Sequence, residues 1–219
     1  PDVQSYYGQS PESSEPDSEV GDGNGFESDT AGNAFSDGGD VASNIDGLGD
    51  RHTFYDYWFE IPEGAQINGI EVRLDWYLDF ISDSSLSVEL SGDGGASWTN
   101  AKEDTIATNR EHIATLGGEN DTWDAEWTWT PENFSNDNFR VRVTSNSDNP
   151  DRDFYLDWIP VRVYYEDIPP TVESAETQDT DSNGYLDAIK LTFSEAIDDS
   201  QLIIGDPDGW AVAEYDGEA

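Results

Sequence analysis

At 219 residues the chain has room for one large domain, or for one domain with additions. Its 49 acidic and 9 basic residues give a formal net charge of −40, which repels nucleic acid and anionic membrane and excludes both as partners. Cysteine is absent, so thiol catalysis, thiolate metal sites and disulfides are excluded as well.

A charge of this size is tolerable where salt screens it or divalent cations bind it. Both conditions point outside an ordinary cytoplasm, or to a salt-adapted organism. No apolar run approaches the roughly 18 residues of a membrane span, and no signal peptide is recognisable. The chain opens at Pro1 and is read as a mature or excised piece.

Residues 1–25 are acidic and rich in Ser, Glu and Gly, with Tyr6 and Tyr7 as their only aromatic pair. The composition predicts a linker or disordered segment. From 26 to 166 the pattern becomes that of strands. Thr53 to Ile61 alternates with aromatic residues on both faces. Ile70 to Phe80 alternates strictly, placing Ile70, Val72, Leu74, Trp76, Leu78 and Phe80 on a buried side. Glu71, Arg73, Asp75, Tyr77 and Asp79 then fall on a wet side. Further strands are predicted around Leu86–Leu90, Trp123–Trp129 and Phe139–Val143. A long last strand, Phe154–Tyr165, is disturbed at Pro160. Residues 104–118 are ambiguous. Arg73, Arg140, Arg142 and Arg162 each alternate with apolar residues and are expected to face out, paired across strands with Glu71, Asp75 or Glu89.

Residues 167–170 read as a stiff Pro-containing linker. Beyond it, Ile189, Leu191 and Phe193 alternate, and Trp210 and Val212 suggest one more strand. That is too few for the seven or so strands of a complete immunoglobulin-like sandwich. The expected fold is therefore all-β: a jelly-roll-like β-sandwich over 26–166, followed over 171–219 by a partial immunoglobulin-like unit.

Two loops carry recognisable chemistry. Asp179, Asp181, Asn183 and Asp187 fall at positions one, three, five and nine of a D-x-D-x-N-G-x-x-D run. With the Tyr185 carbonyl they can wrap one Ca²⁺, and Gly184 permits the sharp turn. The run resembles short calcium loops between the strands of extracellular proteins, not a complete EF-hand, whose position-twelve glutamate is replaced by Lys190. An affinity of about 10⁻⁴ to 10⁻³ M is expected. Ser91, Asp93, Gly95, Ser97 and Trp98 match the Asp-box pattern S-x-D-x-G-x-[ST]-W, a hairpin element of sialidase propeller blades. A single copy predicts a structural turn and not a propeller.

The phrases NAFSDGGDVAS (33–43), IPEGAQINGIEV (61–72), VELSGDGGASWT (88–99) and FYLDWIPVRVYY (154–165) resemble a jelly-roll-like module of bacterial, archaeal and phage surface proteins. The last of them is similar to the final strand of galactose-binding-like carbohydrate-binding modules. That resemblance implies a structural calcium held by Asp157, with Asp37 and Asp40 as the candidate partners near the start of the domain.

No enzyme is expected. Carboxylates are too abundant for any pair to be informative, His52 and His112 are the only histidines, and no HExxH or GxSxG element is present. Asn120 and Asn133 lie in glycosylation sequons, meaningful only in a host that glycosylates. The functional expectation is an exported, calcium-stabilised structural or adhesive cell-surface protein. It would self-associate as the repeating subunit of a filament or surface layer, the Tyr6–Tyr7 segment or the carboxyl end adding a strand to the next subunit. The alternatives are a carbohydrate-binding accessory module of a larger secreted hydrolase, with a glycan as partner, or a phage tail or surface protein.

Overall fold

The computed structural model describes residues 4–81, 83–166 and 171–194. The chain divides into two compact units, Pro1–Ile168 and Pro169–Ala219. Among the described residues eleven strands build the first: β1 (Gln4–Gln9), β2 (Ser13–Pro16), β3 (Ala42–Asn44), β4 (Arg51–Tyr55), β5 (Gln66–Leu78), β6 (Ser84–Ser91), β7 (Lys102–Ile106), β8 (His112–Gly118), β9 (Arg140–Ser147), β10 (Phe154–Trp158) and β11 (Val161–Glu166). Two short 3₁₀ turns, Ala31–Ala34 and Pro131–Phe134, are the helical elements among the described residues. The protein is all-β, and no helix among the described residues is long and apolar enough to cross a membrane.

Two sheets face each other across one core. The first follows the order β1-β11-β5-β10-β3, with β8 on the other edge of β5; the second follows β2-β4-β9-β6-β7. The thirteen-residue β5 is the spine. It pairs with β11 along Gln66–Val72, with β10 along Asp75–Leu78 and with β8 along Ile70–Trp76. Its alternation works as expected, since Ile70, Val72, Leu74, Trp76 and Leu78 are all fully buried. They meet Leu86, Val88, Leu90, Val141 and Val143 of the second sheet. Truncating a side chain such as Leu74 to alanine removes ~2–5 kcal/mol in a core of this kind.

Several expectations need correction. The strand at Thr53 stops at Tyr55, because Asp56 and Trp58 take left-handed backbone (φ 62° and 54°) that breaks the pleat. The Trp123–Trp129 stretch is not a strand: Trp123 and Asp124 are also left-handed, and the indoles of Trp123 and Trp129 plug the core from an irregular loop. Phe80 is exposed at 66%, and Asp75, though on its predicted outer face, is covered and fully buried. The N-terminal segment is not loose, because β1 pairs with β11 and β2 with β4. Polar strands of this kind escape detection because pairing uses the backbone and needs no apolar alternation. The disturbance at Pro160 does divide the last strand. Its carbonyl accepts the Arg73 N–H at 3.1 Å, and pairing with β5 resumes at Val161–Val72.

In the second unit β12 (Val172–Gln178) pairs with β13 (Ala188–Phe193). The linker 167–170 and the strand expected at Trp210 and Val212 lie outside the described residues.

Beneath the N-terminal loop, His52 is buried, and its Nδ1 accepts the Phe26 N–H at 3.0 Å. Burial pushes its pKa down from 6.5 to about 4. The unfolded chain therefore takes up a proton first as pH falls, so the stability due to neutral His52 is complete above pH 6.5 and is lost progressively toward pH 4. Nearby Asp50 opposes it. Burial raises Asp50 to about 6, so its contribution is greatest at low pH and fades as pH rises through that value. His52→Gln is expected to gain about 2–3 kcal/mol relative to the parent between about pH 7.5 and about pH 4.5. Urea titrations of both proteins at the two pH values check this; parallel shifts would show that His52 does not titrate as described.

Candidate functional site

The first candidate site lies where the 3₁₀ turn and the loop after it cross the end of β10. Ile159 N–H donates to Ala34 O (3.3 Å), and Phe35 forms an isolated bridge with Trp158. Gly38 N–H donates to Asp157 Oδ2 (2.9 Å), while Asn33 Nδ2 closes the loop onto Val41 O (3.0 Å). This brings Asp37 to Asp157. The buried Asp75 of β5 and Glu111, just before β8, complete a group of four, one carboxylate oxygen of each lying within 4.8 Å of one from every other. Asp40, on the same exposed loop, is outside the group. The sequence reading missed Asp75, which alternation assigned to a wet face, and Glu111, which sits in the stretch without clear periodicity.

The electrostatics of this cluster are unbalanced. Arg73 serves as the counter-charge, its Nε donating to Asp75 Oδ1 at 2.7 Å and its Nη2 lying 3.9 Å from Asp37. The guanidinium also stacks 4.8 Å from the Trp158 ring centroid. Glu111 is raised above its ordinary value by loss of water first, then by repulsion from Asp157, Asp75 and Asp37, with Arg73 pulling the other way. Tyr77 is raised by burial, then by Asp157 and Glu111. Oxygen ligands sit 2.3–2.6 Å from Ca²⁺, so two on opposite sides are about 4.8 Å apart. The spacing and the donor chemistry of the four carboxylates fit a hard divalent cation.

The exposed loop of the second unit gathers Asp179, Asp181 and Asp187 within the same 4.8 Å. Asp179 accepts the N–H groups of Gly184 (2.9 Å) and Asn183 (3.1 Å), the Gly184 bond being the main cause of its lowered pKa. Asp187 accepts the Thr180 hydroxyl (2.6 Å) and N–H, and is lowered by the hydroxyl first. Asn183 Oδ1 accepts the Tyr185 N–H at 2.8 Å.

The Asp-box residues form a closed hairpin. Ser91 Oγ donates to Asp93 and accepts Gly95 N–H, Ser97 N–H donates to Asp93, and Trp98 Nε1 donates to Gly95 O at 3.0 Å. Burial alone would raise Asp93, but the hydrogen bonds from Ser97 and Ser91 outweigh it and hold its pKa low. Of the sequon asparagines, Asn120 is exposed. The Asn133 amide is engaged at both ends, Nδ2 donating to Gly92 O and Oδ1 accepting the Thr130 N–H, so a glycan on Nδ2 would compete with the first of these bonds.

A groove of 630 Å³ opens next to the acidic cluster along the chain, lined by Gln9, Ser10, Glu12, Phe35 and Trp58. Ser10 Oγ accepts from Trp158 Nε1 at 2.8 Å, so the residue after Asp157 also braces the groove. Trp76, Trp123 and Trp129 are buried and Trp98, Trp127 and Trp158 half-buried, but Trp58 is 59% exposed. Its N–H is captured by Asn136 Oδ1 (3.0 Å) and its Nε1 by Glu12 Oε2 (3.0 Å), which fixes an exposed indole on left-handed backbone.

The first unit is an all-β sandwich that carries a cluster of four carboxylates, two buried and two exposed, and a groove with an exposed indole. No family model and no curated protein matches the chain. Among solved structures it is similar to the CBM32 of AlyQ in complex with 4,5-unsaturated mannuronic acid, at 16% identity and a TM-score of 0.43, covering 71% of this chain and 98% of that one. A truncated AlyQ with CBM32 and alginate lyase domains aligns at 16% identity and a TM-score of 0.45, over 78% of this chain and 37% of the other. The carbohydrate-binding module CBM36 in complex with calcium and xylotriose aligns at 12% identity and a TM-score of 0.32, over 69% and 98%.

The expectation of a filament or surface-layer subunit is overturned. The similar structures are carbohydrate-binding modules. Of the two segments expected to be donated to a neighbour, Tyr6–Tyr7 is already used, since Gln4 pairs with Tyr165 and Tyr6 with Val163 of its own chain; the carboxyl end lies outside the described residues.

Proposed function

We propose that the first unit is a non-catalytic, calcium-stabilised carbohydrate-binding module, carried by a larger secreted or surface protein such as a hydrolase. The observation that carries this reading is Trp58. A bulky residue in left-handed backbone costs about 1–2 kcal/mol, and here the strain is not offset by burial, because the indole faces solvent. A fixed, exposed aromatic plane suits the apolar C–H face of a pyranose ring, while Glu12, Ser10 and Gln9 on the groove wall suit its hydroxyls. The Asp37–Asp75–Glu111–Asp157 cluster would hold Ca²⁺, whose charge stabilises the 35–40 loop against β5 and β10. Ca²⁺ there supplies structure and takes part in no reaction. The similarity to carbohydrate-binding modules is consistent with this reading.

The second unit is proposed to begin an immunoglobulin-like domain after the 167–170 linker, with a weaker calcium site at Asp179, Asp181, Asn183, Tyr185 and Asp187. Calorimetry of calcium binding to Asp181→Ala should lose one weak event compared with the parent; identical isotherms would remove this second site. The glycan reading is tested by affinity electrophoresis of the full chain, with calcium, through gels containing a panel of neutral and acidic polysaccharides. Retardation by at least one is expected, and unimpeded migration through all of them overturns the reading.

A further inference from the structure

A second groove, of 440 Å³, crosses the outer face of the β2-β4-β9-β6-β7 sheet. Arg140 and Arg142, alternate residues of β9, line it together with Trp98 and with the acidic side chains of Glu15, Asp17 and Glu19. The two arginines are treated differently. Arg142 is neutralised by Glu89 (Nε to Oε2, 3.0 Å) and lies flat on Trp98, 3.9 Å from the ring centroid. Arg140 stacks 4.7 Å from the Tyr55 ring and donates to three backbone carbonyls, those of Asn136 (2.6 Å), Phe139 (2.8 Å) and Asp137 (3.1 Å).

Among the described residues Arg51, Arg73, Lys102, Arg142, Arg152 and Arg162 form ion pairs with carboxylates; the exposed Arg110 and Lys190 form none, and neither does Arg140, which is half-buried in the groove. With 49 acids in the chain, a groove cation clamped by carbonyls and left without an acid partner is anomalous. The carbonyl bonds fix the guanidinium plane and leave its full positive charge in place. A planar guanidinium matches a carboxylate better than any other side chain does.

We propose that this groove binds a uronic-acid unit of a polysaccharide, its carboxylate on Arg140 and its ring beside the Arg142–Trp98 stack, with hydroxyls donated to the acidic side chains. The proposal rests on the reading of the module as a glycan binder and adds a site distinct from the Trp58 groove. The acidic side chains disfavour free small anions and fit a ligand that presents one carboxylate among many hydroxyls. High salt assists, because it screens the long-range repulsion of a −40 chain more than it weakens a half-buried contact.

The test is calorimetry in high salt with short oligogalacturonates and with the same oligosaccharides after carboxyl reduction. The parent is expected to bind the acidic form and not the reduced form. Arg140→Gln should bind about tenfold more weakly, and Arg140→Lys should recover part of the loss. Unaltered binding by Arg140→Gln, or equal binding of the reduced oligosaccharides, overturns the proposal. If oligogalacturonates fail to bind while a neutral polysaccharide still retards the protein through Trp58, this groove is not a uronate site and the glycan-binding reading stands. If nothing binds, both fall. Because Arg140 also ties the 136–139 loop, melting curves accompany each variant, and a Lys variant that melts like the parent yet binds no acidic ligand also counts against the proposal.

Discussion

Chelation of divalent cations is expected to lower the melting temperature of the first unit by about 5–10 °C. A site kept at a hundredfold excess over its dissociation constant contributes about 2.7 kcal/mol. In a domain of this size each kcal/mol moves the melting temperature by roughly 2–4 °C. The sign of a second measurement separates metal binding from a merely acidic surface. Asp37, Asp75, Glu111 and Asp157 each bring one carboxylate oxygen within 4.8 Å of the others, with Arg73 as the counter-charge. Without a cation, neutralising one of them relieves repulsion, so Glu111→Gln should melt above the parent in chelator. With calcium bound the same substitution deletes a ligand, so the variant should melt below the parent in calcium. Asp40→Asn, on the same loop but outside the group, should follow the parent in both. Equal melting of the parent with and without chelator, or a Glu111→Gln shift of one sign in both buffers, would show that the cluster holds no ion.

How much of this was legible depends on which force positioned each residue. Strand β5 was legible because hydrophobic burial writes a period of two into Ile70, Val72, Leu74, Trp76 and Leu78, all fully buried. Asp157 and Asp37 were legible through the phrases around them, and the fold does place them together. Asp75 was not, because alternation sorts residues by hydropathy and places every carboxylate in water. A carboxylate buried on the outer side of a strand is defined by what covers that side, here Arg73 and the 35–40 loop, and these come from distant parts of the chain. Strands β1 and β2 were missed for a related reason: their backbone hydrogen bonds leave no trace in composition. Trp58 was misread because aromatic residues at 55, 57 and 59 imitate a strand, and left-handed backbone at Asp56 and Trp58 carries no sequence marker when neither residue is glycine.

Replacing Trp58 should separate binding from stability. Aromatic anchors at binding centres commonly carry 2 kcal/mol or more, so Trp58→Ala is expected to weaken binding by about thirtyfold on whichever neutral polysaccharide retards the parent most. Trp58→Phe keeps a smaller plane and should retain an intermediate affinity. The fold should be indifferent, since the indole is 59% exposed and makes its polar contacts only to Glu12 and Asn136. Glycine removes the left-handed strain of about 1 kcal/mol, which offsets the lost Glu12 bond, so Trp58→Gly should melt no lower than the parent while binding no better than the alanine variant. Asn136→Ala is the companion test. It frees the backbone N–H that holds Trp58 in place and leaves the indole intact, so a loss of several-fold in affinity with an unchanged melting curve would mark Asn136 as a positioning residue. A Trp58→Gly protein that melts well below the parent would make Trp58 structural. Full affinity in Trp58→Ala would remove the Gln9–Trp58 groove as the sugar site, because no other tryptophan among the described residues presents so exposed a face.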